Sequence, residues 1–339
     1  MRKSLFITSL GAFIISCGVQ KNIPQKSTPQ KIEPKKEEIS TPKVVEKTPI
    51  QHIGEYDFFK TNISNPTKND NTISYGSIVS AKPAHYTINK NYFPAVGQNF
   101  RQRYLILHYT ALDNEKSLKV LTEQSVSSHY LVNDLNDNEI HQLVDENKRA
   151  YHAGASYWRN IENLNDTSIG IEIVNKGYTT DNLGVRTFYD FPEWQFRKVA
   201  ALVKDIVGRY QIAPVNVLAH SDIAPTRKQD PGPKFPWKRL YTEYGVGMWY
   251  DDSTKEKYLS QIDTEQFLAQ QNSPTFIYQY QNLLNKFGYK LATTGSLDDA
   301  TKKTIEAFQY HFRAENYNGI MDMETWAILQ ALVEKYPTK

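Results

Sequence analysis

Between residues 104 and 220 the apolar positions fall in short runs rather than one long periodic stretch. Tyr104-Leu105-Ile106-Leu107-His108, Ser168-Ile169-Gly170-Ile171-Glu172-Ile173-Val174 and Val215-Asn216-Val217-Leu218-Ala219-His220 are runs of five to seven residues, which suits strands buried in a sheet. Ser128 to Val132 and Glu139 to Val144 flank the turn formers Asn136-Asp137-Asn138 and predict a strand pair. The period then changes. Phe196, Val199, Val203, Ile206, Val207 and Tyr210 fall on one helical stripe, with Glu193 in its first turn and Pro214 closing the segment. Strands mixed with helices predict an α/β domain over residues 81–245, a mixed central sheet flanked by helices.

The last 70 residues carry three helical patterns: Ile277, Tyr280, Leu284 and Phe287; then Ile305, Phe308 and Phe312; then Trp326, Leu329, Val333 and Tyr336. The last two follow related phrases, Gly295-Ser296-Leu297-Asp298-Asp299-Ala300-Thr301 and Gly319-Ile320-Met321-Asp322-Met323-Glu324-Thr325. Asp298 and Asp322 suit N-caps, where a carboxylate accepts from free first-turn amides. The repeat predicts a small all-α three-helix domain over residues 270–339, joined by a connector over 246–269, with its aromatics serving as core.

The start of the chain has a different logic. Met1-Arg2-Lys3, the apolar run Leu5 to Ile15 and the small residues at Ser16-Cys17-Gly18 predict an export signal over residues 1–16, too short to span a bilayer comfortably. Ile14-Ile15-Ser16-Cys17 resembles a bacterial lipobox, which makes Cys17 the expected site of lipidation and membrane attachment. Residues 17–51 are rich in Lys, Glu, Thr and Gln with recurring Pro, and read as a flexible tether that cannot bury enough apolar surface to fold. Residues 52–80 read as an irregular lead-in.

Charge sharpens this division. The chain has 339 residues and a formal charge of +3, yet residues 1–16 hold Arg2 and Lys3 with no acid, and residues 18–50 hold seven lysines against four glutamates, leaving −2 from residue 51 onward. The basic excess belongs to signal and tether, so no nucleic-acid footprint is expected on the folded body. With 40% hydrophobic and 23% charged residues, the composition excludes a polytopic membrane protein. Nothing implies an oligomer, and a monomer is expected.

Cys17 is the only cysteine. A disulfide, a Cys-x-x-Cys zinc knuckle and a thiol nucleophile in a folded domain are therefore excluded, and any metal site must use His and carboxylates. His108 and His220 close two predicted strands, and Asp230 lies in the loop Arg227-Lys228-Gln229-Asp230-Pro231-Gly232-Pro233. Two imidazoles and a carboxylate leave one corner of a zinc tetrahedron open, the catalytic arrangement. Spacing alone leaves open the alternative of hydrogen-bonded structural histidines.

Leu107-His108-Tyr109-Thr110-Ala111, Ser127-Ser128-His129-Tyr130-Leu131-Val132, His152-Ala153-Gly154, Asn165 to Glu172 and Ala219-His220-Ser221-Asp222-Ile223-Ala224-Pro225 through Pro233 together resemble the type 2 N-acetylmuramoyl-L-alanine amidases, in particular their outer-membrane lipoprotein branch. The C-terminal phrases resemble a peptidoglycan-binding three-helix domain. The resemblance implies one zinc ion per chain on His108, His220 and Asp230, with Glu172 as general base and acid and Lys228 stabilising the oxyanion. Some relatives have cysteine at the third ligand position, where this chain has Asp230; others have tyrosine before the second-block histidine, where this chain has Ser128. His129 and His152 are expected to orient ligands or serve the structure, with substrate contact as the alternative, and Trp158 and Arg159 to line the groove. The insert from Lys176 to Asp190 is a candidate loop over the cleft.

The implied reaction is hydrolysis of the amide between the lactyl group of N-acetylmuramic acid and L-alanine, in peptidoglycan or muropeptides. The implied location is the outer membrane, facing the periplasm. Two other readings stand beside it: a non-catalytic peptidoglycan-binding protein on the same fold, and a zinc hydrolase of another amide. The C-terminal domain is expected to act chiefly in retention on insoluble wall.

Overall fold

The structure, a computed structural model, describes residues 83–86 and 99–338. The export signal, Cys17 and the tether lie outside the described residues, as does the lead-in.

Strand β1 (Tyr104–Tyr109) has five consecutive buried residues, as a central parallel strand must. Helix α1 (Asn114–Glu123) follows, its first turn capped by the Asp113 carboxylate, which accepts from the Lys116 amide. The hydropathy pattern does not announce this helix, since only Ser117 and Leu121 are buried in it. Strands β2 (Tyr130–Val132) and β3 (His141–Gln142) form the expected antiparallel pair, shorter than the pattern suggests. A two-residue hairpin, β4 (Tyr157–Trp158) and β5 (Ile161–Glu162), precedes β6 (Ser168–Ile173). The 176–190 insert contains a second hairpin, β7 (Tyr178–Thr180) and β8 (Arg186–Phe188).

Helix α2 (Glu193–Tyr210) buries Phe196, Val199, Ala200, Val203, Ile206 and Tyr210, the predicted stripe except that Val207 is only half-buried. Strand β9 (Val217–Ala219) runs directly into a single helical turn, α3 (His220–Ile223), and then α4 (Trp237–Tyr244). The central sheet has the order β3-β2-β6-β1-β9, parallel throughout except for β3.

The predicted connector is itself helical, with α5 (Asp252–Ser260) and α6 (Thr264–Gln270). The three C-terminal helices are α7 (Pro274–Phe287), α8 (Asp299–Phe312) and α9 (Met323–Lys335). Asp298 and Asp322 cap α8 and α9 by accepting from the Thr301 and Thr325 amides. A buried glutamine completes each repeat. Gln281 donates to Ser296 O and Thr301 Oγ1 and accepts from the Gly295 amide; Gln309 donates to Ile320 O and Thr325 Oγ1 and accepts from the Gly319 amide.

One hydrophobic core runs without interruption from the sheet into these helices. Trp158 is the main bridge: fully buried, it meets Phe287 and Tyr289 edge-on at 5.7 and 5.2 Å between ring centres, and its Nε1 donates to Val215 O. Its ring lies over Gly288, where an added Cβ would come within 2.8 Å of it. Beside it Arg159 donates to Phe287 O at 2.9 Å and Tyr336 O at 2.7 Å. From the second hairpin, Arg186 of β8 donates to Glu306 Oε1 and Tyr310 OH of α8. Among the described residues no helix is long and apolar enough to cross a membrane.

Candidate active site and metal centre

The site grows from the carboxyl ends of three neighbouring strands, where side chains leave a rigid sheet together. In the parallel ladder His108 of β1 lies opposite Glu172 of β6. Leu107 lies opposite Ala219 of β9, so His220, the next residue, follows beside His108. The loop after α3 returns Asp230 to the same point. His108 Nδ1 and His220 Nδ1 are 2.8 Å apart, and Asp230 Oδ2 is 3.0 and 2.9 Å from them. These three side chains are the group of donors among the described residues arranged to hold a metal ion.

Their remaining nitrogens are already committed. His220 Nε2 donates to Ala153 O at 3.1 Å, which leaves Nδ1 to face His108 and Asp230. His108 Nε2 pairs with His152 Nδ1 at 3.0 Å, and His152 Nε2 with Ser168 Oγ at 3.1 Å. Burial, with His220 next to it, holds the His108 imidazole down at about 4, and His152 falls well below its ordinary value for the same reason. Neutral imidazoles are the form that binds metal. Lone pairs and a carboxylate converging on one point, without a proton for each contact, fit a cation there. Zinc with bonds of about 2.0–2.1 Å sets neighbouring ligands roughly 3.3 Å apart, near the spacing found.

Glu172 is the unusual group. Its Oε2 is buried with no hydrogen-bond partner, which in a native site calls for a functional explanation. Burial, reinforced by the Asp230 carboxylate and opposed by Lys228, pushes its carboxyl up to about 8. A carboxyl poised near neutral pH is suited to taking up and giving back a proton. Glu172 and Lys228 line one cleft of about 390 Å³ together with His152, His220 and Asp230. Helix α1 contributes Ser117, Val120 and Leu121 to its rim, and the β7–β8 hairpin contributes Tyr178.

The structure thus brings together His108, His220, Asp230, Glu172 and Lys228. His152 supports His108 directly. His129 serves the scaffold: its Nδ1 accepts from the Gly170 amide and its Nε2 meets Lys148 O. Gly170 has to be small here, because an added Cβ would stand 2.5 Å from the His152 ring. Trp158 and Arg159 do not line the groove. Both are turned the other way, into the contact with α7 and α9, because an indole with a long apolar face finds more burial between two domains than at a wet rim.

Four side chains escape the sequence reading. Tyr109 and Tyr151 are cleft walls hidden in ordinary-looking segments. Arg227, whose charged neighbourhood suggests a solvated stretch, instead donates to Ala153 O at 2.8 Å and Ala155 O at 3.0 Å beside the ligands. Asp222, three residues beyond Ala219, accepts from the Ala219 amide at 2.8 Å. A carboxylate at the third position of a turn is a capping signal, and that spacing was visible.

Comparison with known proteins agrees with this geometry. The profile of the N-acetylmuramoyl-L-alanine amidase family matches residues 98–233, and that of a peptidoglycan binding domain matches residues 274–329. The chain is 43% identical over 241 residues to N-acetylmuramoyl-L-alanine amidase AmiD of Escherichia coli (strain K12), covering 70% of this chain and 84% of the relative. It is 40% identical over 105 residues to 1,6-anhydro-N-acetylmuramyl-L-alanine amidase AmpD of Enterobacter cloacae, covering 31% of this chain and 51% of that protein. Among solved structures, AmiD from E. coli in complex with anhydro-N-acetylmuramic acid-L-Ala-D-gamma-Glu-L-Lys matches with a TM-score of 0.66 at 40% identity, over 76% of this chain and 98% of that one. AmpDh3 from Pseudomonas aeruginosa with an anhydromuramic pentapeptide matches with a TM-score of 0.65 at 45% identity, over 74% and 99%. With likeness of that order running through both the cleft and the helical module, the chain belongs to the N-acetylmuramoyl-L-alanine amidase family.

Proposed function

We propose that this amidase is zinc-dependent and cleaves the amide between the lactyl group of N-acetylmuramic acid and L-alanine, with Glu172 as base and acid and Lys228 as the oxyanion partner. The observation that carries the reading is the meeting of His108 Nδ1, His220 Nδ1 and Asp230 Oδ2 within 3.0 Å of one another, beside the cleft that also holds Glu172 with its unpartnered Oε2. That AmiD and AmpDh3 are each solved with an anhydromuramyl peptide supports a substrate of the same chemistry.

An amide resists water at neutral pH, so the reaction needs a stronger nucleophile and a place for developing charge. Zinc held by His108, His220 and Asp230 would supply Lewis-acid activation of water and of the scissile carbonyl. Glu172 takes the proton from the attacking water and passes it to the departing L-alanine nitrogen, so one carboxyl serves both halves of the reaction. The enclosure of its Oε2 keeps bulk water from satisfying that oxygen first. Lys228, on the same cleft wall, faces the tetrahedral oxyanion with a full positive charge, which stabilises the transition state more than the neutral ground state. His152 holds the His108 ring so that Nδ1 stays turned toward His220 Nδ1 and Asp230 Oδ2, the atoms that would hold the metal.

Two parts of the reading concern the setting. The helical module supports retention on the wall, and Cys17 behind its apolar run supports a lipid anchor in the outer membrane facing the periplasm. Replacing Cys17 with Ser should move the expressed protein from the membrane to the soluble fraction; persistence in the membrane would rule the anchor out. For the reaction, mass spectrometry of defined muropeptides digested with metal-free and zinc-restored protein is the direct test. Release of intact stem peptide only with zinc is expected, whereas equal release from both preparations would remove zinc from the mechanism.

A further inference from the structure

We propose that Tyr289 and His311, two residues of the helical module, are positioning residues for the metal centre: through Asp222 they hold the turn that presents His220 and anchors Asp230. The inference rests on the reading that His108, His220 and Asp230 hold zinc.

Helix α3 is a four-residue turn, too short to hold its own shape. It nevertheless carries one ligand and is bonded to another. His220 is its first residue, and the Ser221 amide donates to the backbone carbonyl of Asp230 at 3.0 Å. The side chain that fixes the turn is Asp222, whose Oδ2 accepts from the Ala219 amide immediately before His220.

Asp222 is fully enclosed, with both oxygens occupied. Tyr289 OH donates to Oδ1 at 2.8 Å, and His311 Nδ1 meets Oδ2 at 2.7 Å. Two of its three partners therefore come from the helical module, and neither is free to turn. The His311 ring is stacked between Trp237 and Phe312, at 3.9 and 4.0 Å between ring centres. Tyr289 is buried edge-on against Trp158.

A contact that only glued two domains together would be met more cheaply by apolar side chains, since a buried carboxylate and its polar partners must all be stripped of water. This one is sited two residues from a ligand. Without Tyr289 and His311, Asp222 keeps only the Ala219 amide as a partner inside an enclosed pocket, and a buried carboxylate short of donors is no longer held in place. Its displacement loosens the Ala219 amide and the α3 turn with it. Partners that orient a metal ligand from behind typically matter by about 10–100-fold in metal affinity or activity.

The test uses the full chain with Tyr289→Phe, His311→Phe and His311→Gln. Zinc affinity is measured by competition with a chromogenic chelator, next to thermal melting, retention on insoluble sacculi, and kcat and KM on a soluble muropeptide. The first two variants are expected to melt cooperatively and bind sacculi as the wild type does. Their zinc dissociation constants should nonetheless rise about 10–100-fold, and kcat should fall with KM unchanged. His311→Gln, which keeps a donor, should recover part of both. Should His311→Phe fail to fold, Tyr289→Phe decides alone, since it removes a single hydroxyl. Folded variants whose zinc affinity lies within twofold of wild type would overturn the inference while leaving the zinc reading intact. Wild-type protein that takes up no zinc would overturn both.

Discussion

Glu172 occupies a strand position where alternation with Ile171 and Ile173 is compatible with either solvent or a cleft. Its neighbours settle the matter. Opposite His108 in the ladder, with one oxygen unpartnered, it is held in a site that raises its proton affinity. Glu172→Gln should therefore retain zinc yet lose on the order of 10²–10⁴ in kcat, the usual size of acid–base assistance. Lys228→Met should lower kcat by about 10²–10³ with little change in KM, as expected of a group that acts on charge present only in the transition state. Steady-state kinetics with metal content measured on the same samples checks both; a Glu172→Gln enzyme of wild-type rate would remove it from the mechanism. At this scale sequence spacing supplied the types of residue but not their meeting. The 112 positions between His108 and His220 close only through the pairing of β1 with β9, which no local pattern encodes.

Elements were legible where burial imposes a period. β1, β6 and α2 follow directly from their apolar runs, and the α8 and α9 caps follow from Asp298 and Asp322. Helix α1 and the two hairpins were not, because elements that bury few side chains leave a weak hydropathy signal. The two caps separate in their expected cost. Asp298→Ala removes an N-cap and should destabilise the protein by about 1 kcal/mol. Asp322 also receives Arg313, a nearly buried guanidinium that bonds Thr325 and Glu324 as well. Asp322→Ala should cost about 2–3 kcal/mol, since it leaves that charge short of a partner. Urea denaturation followed by circular dichroism would show the order; equal midpoints would mean that Arg313 finds full compensation elsewhere.

For the whole molecule, the boundary drawn from sequence marks a change of architecture and not a break in the core. Composition and periodicity report what each segment can become, whereas Trp158, Arg159 and Arg186 show where segments join, and an interface residue looks like any other core or surface residue in a linear pattern. Beside its expected retention on the wall, the helical module shares its core with the amidase domain. A chain ending at residue 269 would expose Trp158 and strip Asp222 of Tyr289 and His311. It should show no cooperative thermal transition and take up little zinc. A truncated chain that melts sharply and hydrolyses small muropeptides at the wild-type rate would show the module to be dispensable for folding.

The continuity of that core also fixes a length. In enzymes whose wall-holding part hangs on a flexible linker, the cut can fall anywhere within the linker's sweep. Here the seam around Trp158 leaves no such sweep between α7–α9 and the cleft. On the proposal that α7–α9 hold the wall, the distance from grip to scission would be set by the fold, and only bonds at that spacing would come within reach until the grip is released and taken again.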